Sequence, residues 1–181
     1  MELPINIIPL NGINQDILSF LKDRLEEIFK TEIEISDPVT IGQSFYNPQR
    51  NQYNAHEILN FLIKEFDLMS REHVFLGIFD KDIYTPSLNF VFGLATKTPK
   101  ACLISVSRLD PSFYECRETE EGHLTLYYQR ILTEAVHEIG HTLGLDHCPN
   151  PKCVMHFSNT LADTDIKGHE FCQKCRESIH R

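Results

Sequence analysis

The stretch AVHEIGHTLGLDHCPNPKCVM, Ala135 to Met155, holds three histidines, a glutamate and two cysteines, and it constrains the chain more than any other segment. Tyr128, Ile131, Leu132, Ala135, Ile139 and Leu143 recur at helical spacing, which predicts a helix from near Leu124 to a left-handed cap at Gly144. His137 and His141, four residues apart, project from one face of that helix, with Glu138 beside them and polar Arg130 and Glu134 one and two turns earlier. Gly144 lets the chain leave the helix sharply, so that His147 can return to the same point. Two imidazoles at this spacing and a returning third can hold one zinc ion and leave its fourth position open to water, the arrangement of a catalytic rather than a structural site. A bare His-Glu-x-x-His also arises by chance, and a helical histidine is often an ordinary surface or core residue. The added glycine and third histidine favour the metal.

Four of the six cysteines fall in the last 34 residues. Cys148 and Cys153 flank the tight-loop sequence PNPK, and Cys172 and Cys175 form a C-x-x-C pair. Two close pairs read as a four-thiolate structural zinc. A redox pair at Cys172 and Cys175 would leave the other two unexplained, and the plainest alternative is four buried thiols. Residues 148–175 carry few apolar side chains, so a structural zinc would hold them far better than packing could. Two zinc ions per chain are therefore expected. Cys102 and Cys116 show no ligand spacing and read as small core residues, and His56, His73, His123, His169 and His180 show none either.

The chain has 181 residues and a formal net charge of −9, so it has no overall positive field for nucleic-acid backbones. No apolar run approaches the roughly 20 residues that span a bilayer. The opening MELPINIIPLNGINQD lacks the basic and long apolar regions of a signal peptide. The expectation is a cytoplasmic monomer with reduced thiols, without membrane or nucleic-acid partners, folded as a single domain over 1–181. Its N-terminal lobe would run to about 144 and a zinc-stabilised C-terminal lobe from about 145 to 181.

Residues 4–10 read as a first strand, and Asn14 caps a helix running to about Lys30. EIEIS (32–36) alternates as a second strand, and SFYNPQRNQYN is polar and turn-rich. Asn54 with Glu57 resembles a capping box for a helix whose Ile58, Leu59, Leu62 and Phe66 face inward. HVFLGIFD (73–80), LNFVFGLA (88–95) and ACLISVSRL (101–109) read as three more strands. The order predicts an α+β fold, a twisted mixed sheet with packed helices. Beyond Leu145 no strong periodicity is found.

His137, Glu138, His141, Gly144 and His147 together resemble the metzincin zinc signature. Met155 is placed to match the methionine turn beneath the zinc in that group, although a lone methionine is more often a core filler. CVMHF (153–157) is similar to the astacin form of that turn, where a tyrosine two residues after the methionine can ligate zinc; Phe157 stands there and has no hydroxyl. The four cysteines narrow the resemblance to archaemetzincins, which YNPQRNQYN (46–54) and DIYTPSLNFVFGLA (82–95) also resemble. The resemblance implies a metzincin-like fold and a zinc-dependent peptidase in which a zinc-bound water attacks the peptide bond with Glu138 as general base. It also implies an edge strand that pairs with the extended peptide substrate, for which Asn89, Phe90, Val91, Phe92 and Gly93 are the candidates; the same run fits an ordinary core strand equally well. Tyr46, Arg50 and Tyr53 either line the cleft or brace a loop, the second being favoured. His156 either reaches the cleft or is a hydrogen-bonded structural residue. The alternative function is a zinc-stabilised peptide- or protein-binding module, in which Glu138 would have no purpose.

Overall fold

The computed structural model describes residues 3–114 and 120–179. Among them the elements run β1 (Ile5–Leu10), α1 (Gln15–Phe29), β2 (Ile33–Ile35), β3 (Tyr46–Asn47), β4 (Gln52–Asn54), α2 (Ala55–Glu65), β5 (Val74–Phe79), β6 (Ile83–Tyr84), β7 (Gly93–Thr96), β8 (Ala101–Ser105), α3 (Glu120–Thr142), α4 (Leu161–Lys167) and α5 (Gln173–Ile179). Cys116 and His180 lie outside the described residues.

Five strands form a mixed sheet in the order β2-β1-β5-β8-β7. The first four are parallel and β7 runs antiparallel to β8. The apolar runs of β1, β5 and β8 are buried at every position, as expected of strands covered on both faces. Residues of one parity, among them Ile5, Ile7, Leu76, Ile78 and Ile104, pack with Ile17, Leu18, Leu21 and Leu25 of α1 and with Ile131, Leu132, Ala135 and Ile139 of α3. Residues of the other parity, Ile8, Leu10, Phe75, Phe79 and Leu103, pack with Ala55, Ile58, Leu59 and Leu62 of α2. Crossovers between parallel strands are right-handed, and the chain moves one way from β1 to β2 and the other way from β2 to β5. That reversal places α1 and α2 on opposite faces. A wholly buried side chain such as Leu21 contributes about 1.5–3 kcal/mol.

The sequence signals for α1 and α2 are realised closely. The Asn14 side chain accepts from the Asp16 amide, and Lys30 closes α1 in the left-handed region at φ 53°. Asn54 accepts from the His56 and Glu57 amides and donates to the Glu57 carboxylate at 3.1 Å. Only Ile33 of β2 is buried; Ile35, on the same face of this edge strand, is left exposed.

Two regions differ from expectation. Residues 46–54 are not merely turns: β3 and β4 form a hairpin, and β4 pairs with β6 in a second sheet ordered β3-β4-β6. The predicted strand over 88–95 is regular only from Gly93. The carbonyls of Leu88 and Asn89 accept from the Arg50 guanidinium at 3.0 and 2.9 Å, and Gln52 also donates to Asn89 at 2.9 Å. Side chains thus take the place of a neighbouring strand there, and Arg50 braces a loop as the favoured reading had it. Beyond Leu145, α4 and α5 are two seven-residue helices, too short to show a period. The same apolar cluster that fills the sheet's first face extends through Cys148, Cys153, Val154, Met155, Phe171 and Cys175. Among the described residues no helix is long and apolar enough to cross a membrane.

Candidate active site

Helix α3 is buried without interruption from Arg130 to Gly140. One side lies on the sheet; the other, polar side is covered by the residues after Gly144. The helix ends as its sequence predicts. Gly144 has φ 95°, its amide donates to the His141 carbonyl at 3.0 Å, and the Leu145 amide donates to the Gly140 carbonyl at 3.1 Å. This paired closure turns the chain back towards the helix face.

That turn brings His147 beside His137 and His141, with one ligand atom from each ring within 4.8 Å of the other two. His137 Nδ1 lies 2.6 Å from the Val154 carbonyl and His141 Nδ1 lies 2.8 Å from the Leu145 carbonyl. A carbonyl only accepts, so both Nδ1 atoms carry the proton and both Nε2 atoms present lone pairs. Those two Nε2 atoms stand 3.1 Å apart. Two facing lone pairs repel unless they share a cation. The separation is close to the roughly 3.3 Å between two ligand nitrogens on a tetrahedral zinc with bonds of about 2.05 Å. Burial pushes His137 down to about 2, helped by the Lys167 ammonium, and also lowers His141 and His147, so all three rings are neutral and ready as ligands.

Glu138 is buried next to the triad. Burial raises its carboxyl to about 8, with a further push from Glu134 and an opposing pull from Lys167. A dication on the neighbouring imidazoles would favour the carboxylate. Room for the side chain comes from Gly93 on β7, where an added Cβ would stand 2.6 Å from Glu138 Cγ.

The cleft over this face has a volume of about 620 Å³. Its upper wall is Leu88–Ala95, so Asn89, Phe90, Val91, Phe92 and Gly93 all line it beside Glu138 and the three histidines. β7 ends the sheet order, which leaves its outer edge without a strand partner among the described residues. Phe157, Ser158 and Asn159 form the lower wall, with the buried Lys167 and Glu134 side chains behind it and the Phe157 ring 4.9 Å from that of His147. His56 and Lys97 also line the cleft, and neither showed a sequence signal. Tyr46, Arg50, Tyr53 and His156 do not line it. His156 Nδ1 lies 2.9 Å from the Cys148 carbonyl, in line with the structural reading. Met155 is fully buried against α3, where a Cβ on Gly140 would stand 2.4 Å from its sulfur.

Cys148, Cys153, Cys172 and Cys175 form the second cluster, again with ligand atoms within 4.8 Å of one another. Cys148 Sγ and Cys172 Sγ are 3.8 Å apart, which matches the edge of about 3.8 Å of a tetrahedron with zinc–sulfur bonds of about 2.3 Å. The Cys172 amide donates to Cys153 Sγ at 3.3 Å, a contact suited to a thiolate. The Cys175 amide lowers the Cys172 thiol to about 7, whereas burial raises Cys153 and Cys175. Cys102 is a buried thiol that donates to the Phe75 carbonyl at 3.4 Å.

The model of Peptidase family M54 matches residues 11–181. The chain is 38% identical over 181 residues to the archaemetzincin of Pyrococcus furiosus, covering 96% of this chain and 90% of that one. It is 40% identical over 179 residues to the archaemetzincin of Methanocaldococcus jannaschii, with 99% and 94% covered. The crystal structure of archaemetzincin from Archaeoglobus fulgidus, complexed with malonate, superposes with a TM-score of 0.80 at 37% identity over 97% of this chain and 99% of that one. A zinc-dependent peptidase from Methanocorpusculum labreanum superposes with a TM-score of 0.84 at 26% identity, with the same coverage. A neutral imidazole triad at the edge of a mixed sheet, in a chain with these relatives, defines a zinc metallopeptidase. The chain belongs to peptidase family M54, the archaemetzincins.

Proposed function

We propose that this chain is a metzincin-type peptidase that cleaves peptide bonds with Glu138 as general base. The carrying observation is the convergence of the His137 and His141 Nε2 lone pairs at 3.1 Å beside the buried Glu138 carboxyl. His137, His141 and His147 would hold the catalytic zinc, with Met155 packed beneath. Bound there, zinc would acidify a water and polarise the scissile carbonyl. Glu138 accepts the proton of the attacking water and passes it to the leaving amine, so no covalent enzyme intermediate is needed. The unpaired edge of β7, continued by the loop 89–92, receives the substrate backbone in extended form. Cys148, Cys153, Cys172 and Cys175 would hold a second, structural zinc, giving two ions per chain. A reducing, cytoplasmic setting would keep these four cysteines available to the metal.

The test is Glu138→Ala measured beside His141→Ala, with a fluorogenic peptide library and elemental analysis. Glu138→Ala should keep two zinc ions and lose about 10²–10⁴-fold in kcat. His141→Ala should lose one zinc as well as activity. Wild-type protein that carries zinc at the triad yet cleaves no peptide in the library would replace this reading with that of a peptide-binding module.

A further inference from the structure

Helix α4 makes two ionic contacts with α3. The outer one is bidentate: Arg130 donates to both carboxylate oxygens of Asp165 at 2.7 and 2.8 Å. The inner one joins Lys167 Nζ to Glu134 Oε1 at 3.2 Å, with the side chains 0% and 3% exposed. Thr164 donates to the same oxygen at 3.0 Å. The outer pair already ties α4 to α3. The inner pair carries the full desolvation cost of two buried charges, which makes it a poor device for stability alone.

What distinguishes the inner pair is what else the ammonium touches. Lys167 Nζ donates to the His156 carbonyl at 3.4 Å and stands 3.3 Å from His137 Nδ1. That Nδ1 already donates to the Val154 carbonyl, so it has no lone pair to accept from the ammonium. Two donors facing each other repel, and the imidazole is pressed towards the Val154 carbonyl. The contact through His156 goes further. The His156 ring lies 2.9 Å from the Cys148 carbonyl, and Cys148 follows directly on His147. One ammonium therefore reaches His137 directly and His147 through one turn of chain.

We propose that Lys167 and Glu134 are a buried positioning pair for the histidine centre: Glu134 aims the ammonium, and Lys167 holds the His137 ring and the His156 turn in ligating register. The proposal rests on the triad being the metal site. Neither side chain is assigned contact with substrate. The pair sets ligand geometry, and its loss should be read at the metal before it is read in folding.

The test replaces both charges by apolar side chains, Glu134→Leu with Lys167→Met, so that no lone charge is left buried. Chelator-stripped protein is refilled with Co²⁺ at the histidine site, and its visible d–d bands, Co²⁺ affinity, melting temperature, kcat and KM are recorded. The double variant should melt no lower than wild type. Its bands should shift, its Co²⁺ affinity should fall about 10–100-fold, and kcat should fall with KM unchanged. Asp165→Asn, which breaks only the outer pair, should lower the melting temperature and leave bands and affinity alone. Glu134→Gln keeps the shape and the acceptor; it should shift affinity in the same direction by less, and it serves if the double variant fails to fold. Wild-type bands and affinity in the variants would overturn the positioning role. Wild-type protein that takes up no Co²⁺ on its imidazoles would overturn the underlying metal reading instead.

Discussion

The histidine and cysteine centres share a segment of chain yet are built on opposite principles. The histidine centre stands on a 23-residue helix whose interior side is packed on a five-stranded sheet. His137 and His141 are placed by helix geometry and their ring tautomers by backbone carbonyls. The cysteine centre gathers its ligands from a loop and the start of a seven-residue helix, in a region that buries little apolar surface beyond Val154, Met155 and Phe171. A rigid scaffold can present an open metal position, whereas on the proposed reading the weak one would gain its rigidity from a closed metal position. The two meet at His147 and Cys148, adjacent in sequence, one facing each centre. The Cys148 amide also donates to the Met155 carbonyl at 2.8 Å, so the cysteine loop and the methionine turn are one hydrogen-bonded unit.

The sharpest break in this comparison comes from removing the second centre. A structural zinc contributes about 10–16 kcal/mol of apparent binding free energy, against about 1.5–3 kcal/mol for one fully buried apolar side chain. Cys172→Ser with Cys175→Ser should therefore free residues 148–175, raise amide exchange there to near the unfolded rate, and weaken zinc at the triad through His147. Residues 5–79 should keep their exchange protection. Hydrogen exchange with elemental analysis reads both regions at once. Unchanged zinc stoichiometry in this variant would show the two centres to be independent.

A smaller effect tests the rigid side. The Cβ introduced by Gly93→Ala would fall 2.6 Å from Glu138 Cγ and Oε1, so either the β7 edge or the glutamate must move. Overpacking of this kind costs about 1–3 kcal/mol. Because the triad itself is untouched, zinc content should stay at the wild-type value while kcat falls. A variant with wild-type kcat would mean that the position of Glu138 is not set by β7.

Much of this arrangement was legible in the sequence where a local rule determines a long-range result. Spacing on one helix and a glycine exit are enough to bring His137, His141 and His147 together, and apolar runs are enough to mark β1, β5 and β8. The missed parts lack a local rule. Lys167 reads as one more surface lysine, because lysine is almost never buried and nothing nearby in sequence announces Glu134 as its partner. Glu134 itself was visible only as a polar residue on the ligand face. Helix α4 did carry a signal: Thr160 accepts from the Asp163 amide, and the Asp163 carboxylate accepts back from the Thr160 amide, in a capping box. Without seven further periodic residues that signal looks like any other turn. The loop before β7 reads as strand because its apolar residues suit one, while the donors that hold its carbonyls come from β4 and the turn before it, about 38 positions away.

That loop gives the mildest test, and it compares the cleft's upper wall with its floor. The floor is helix and the histidine triad; the wall at Leu88 and Asn89 hangs on the Arg50 guanidinium, which also stacks on the Tyr84 ring at 4.3 Å. Arg50→Ala removes two charge-assisted hydrogen bonds to the wall and a third to Gln52, and each of the two solvent-facing bonds to the wall contributes about 1 kcal/mol or less after competition with water. If the wall only receives the substrate backbone, its loosening should raise KM by about fivefold, the equivalent of about 1 kcal/mol, and leave kcat and zinc content unchanged. A fall in kcat at constant KM would instead mean that the loop orders the reacting groups, and the division between a wall that binds and a floor that reacts would have to be abandoned.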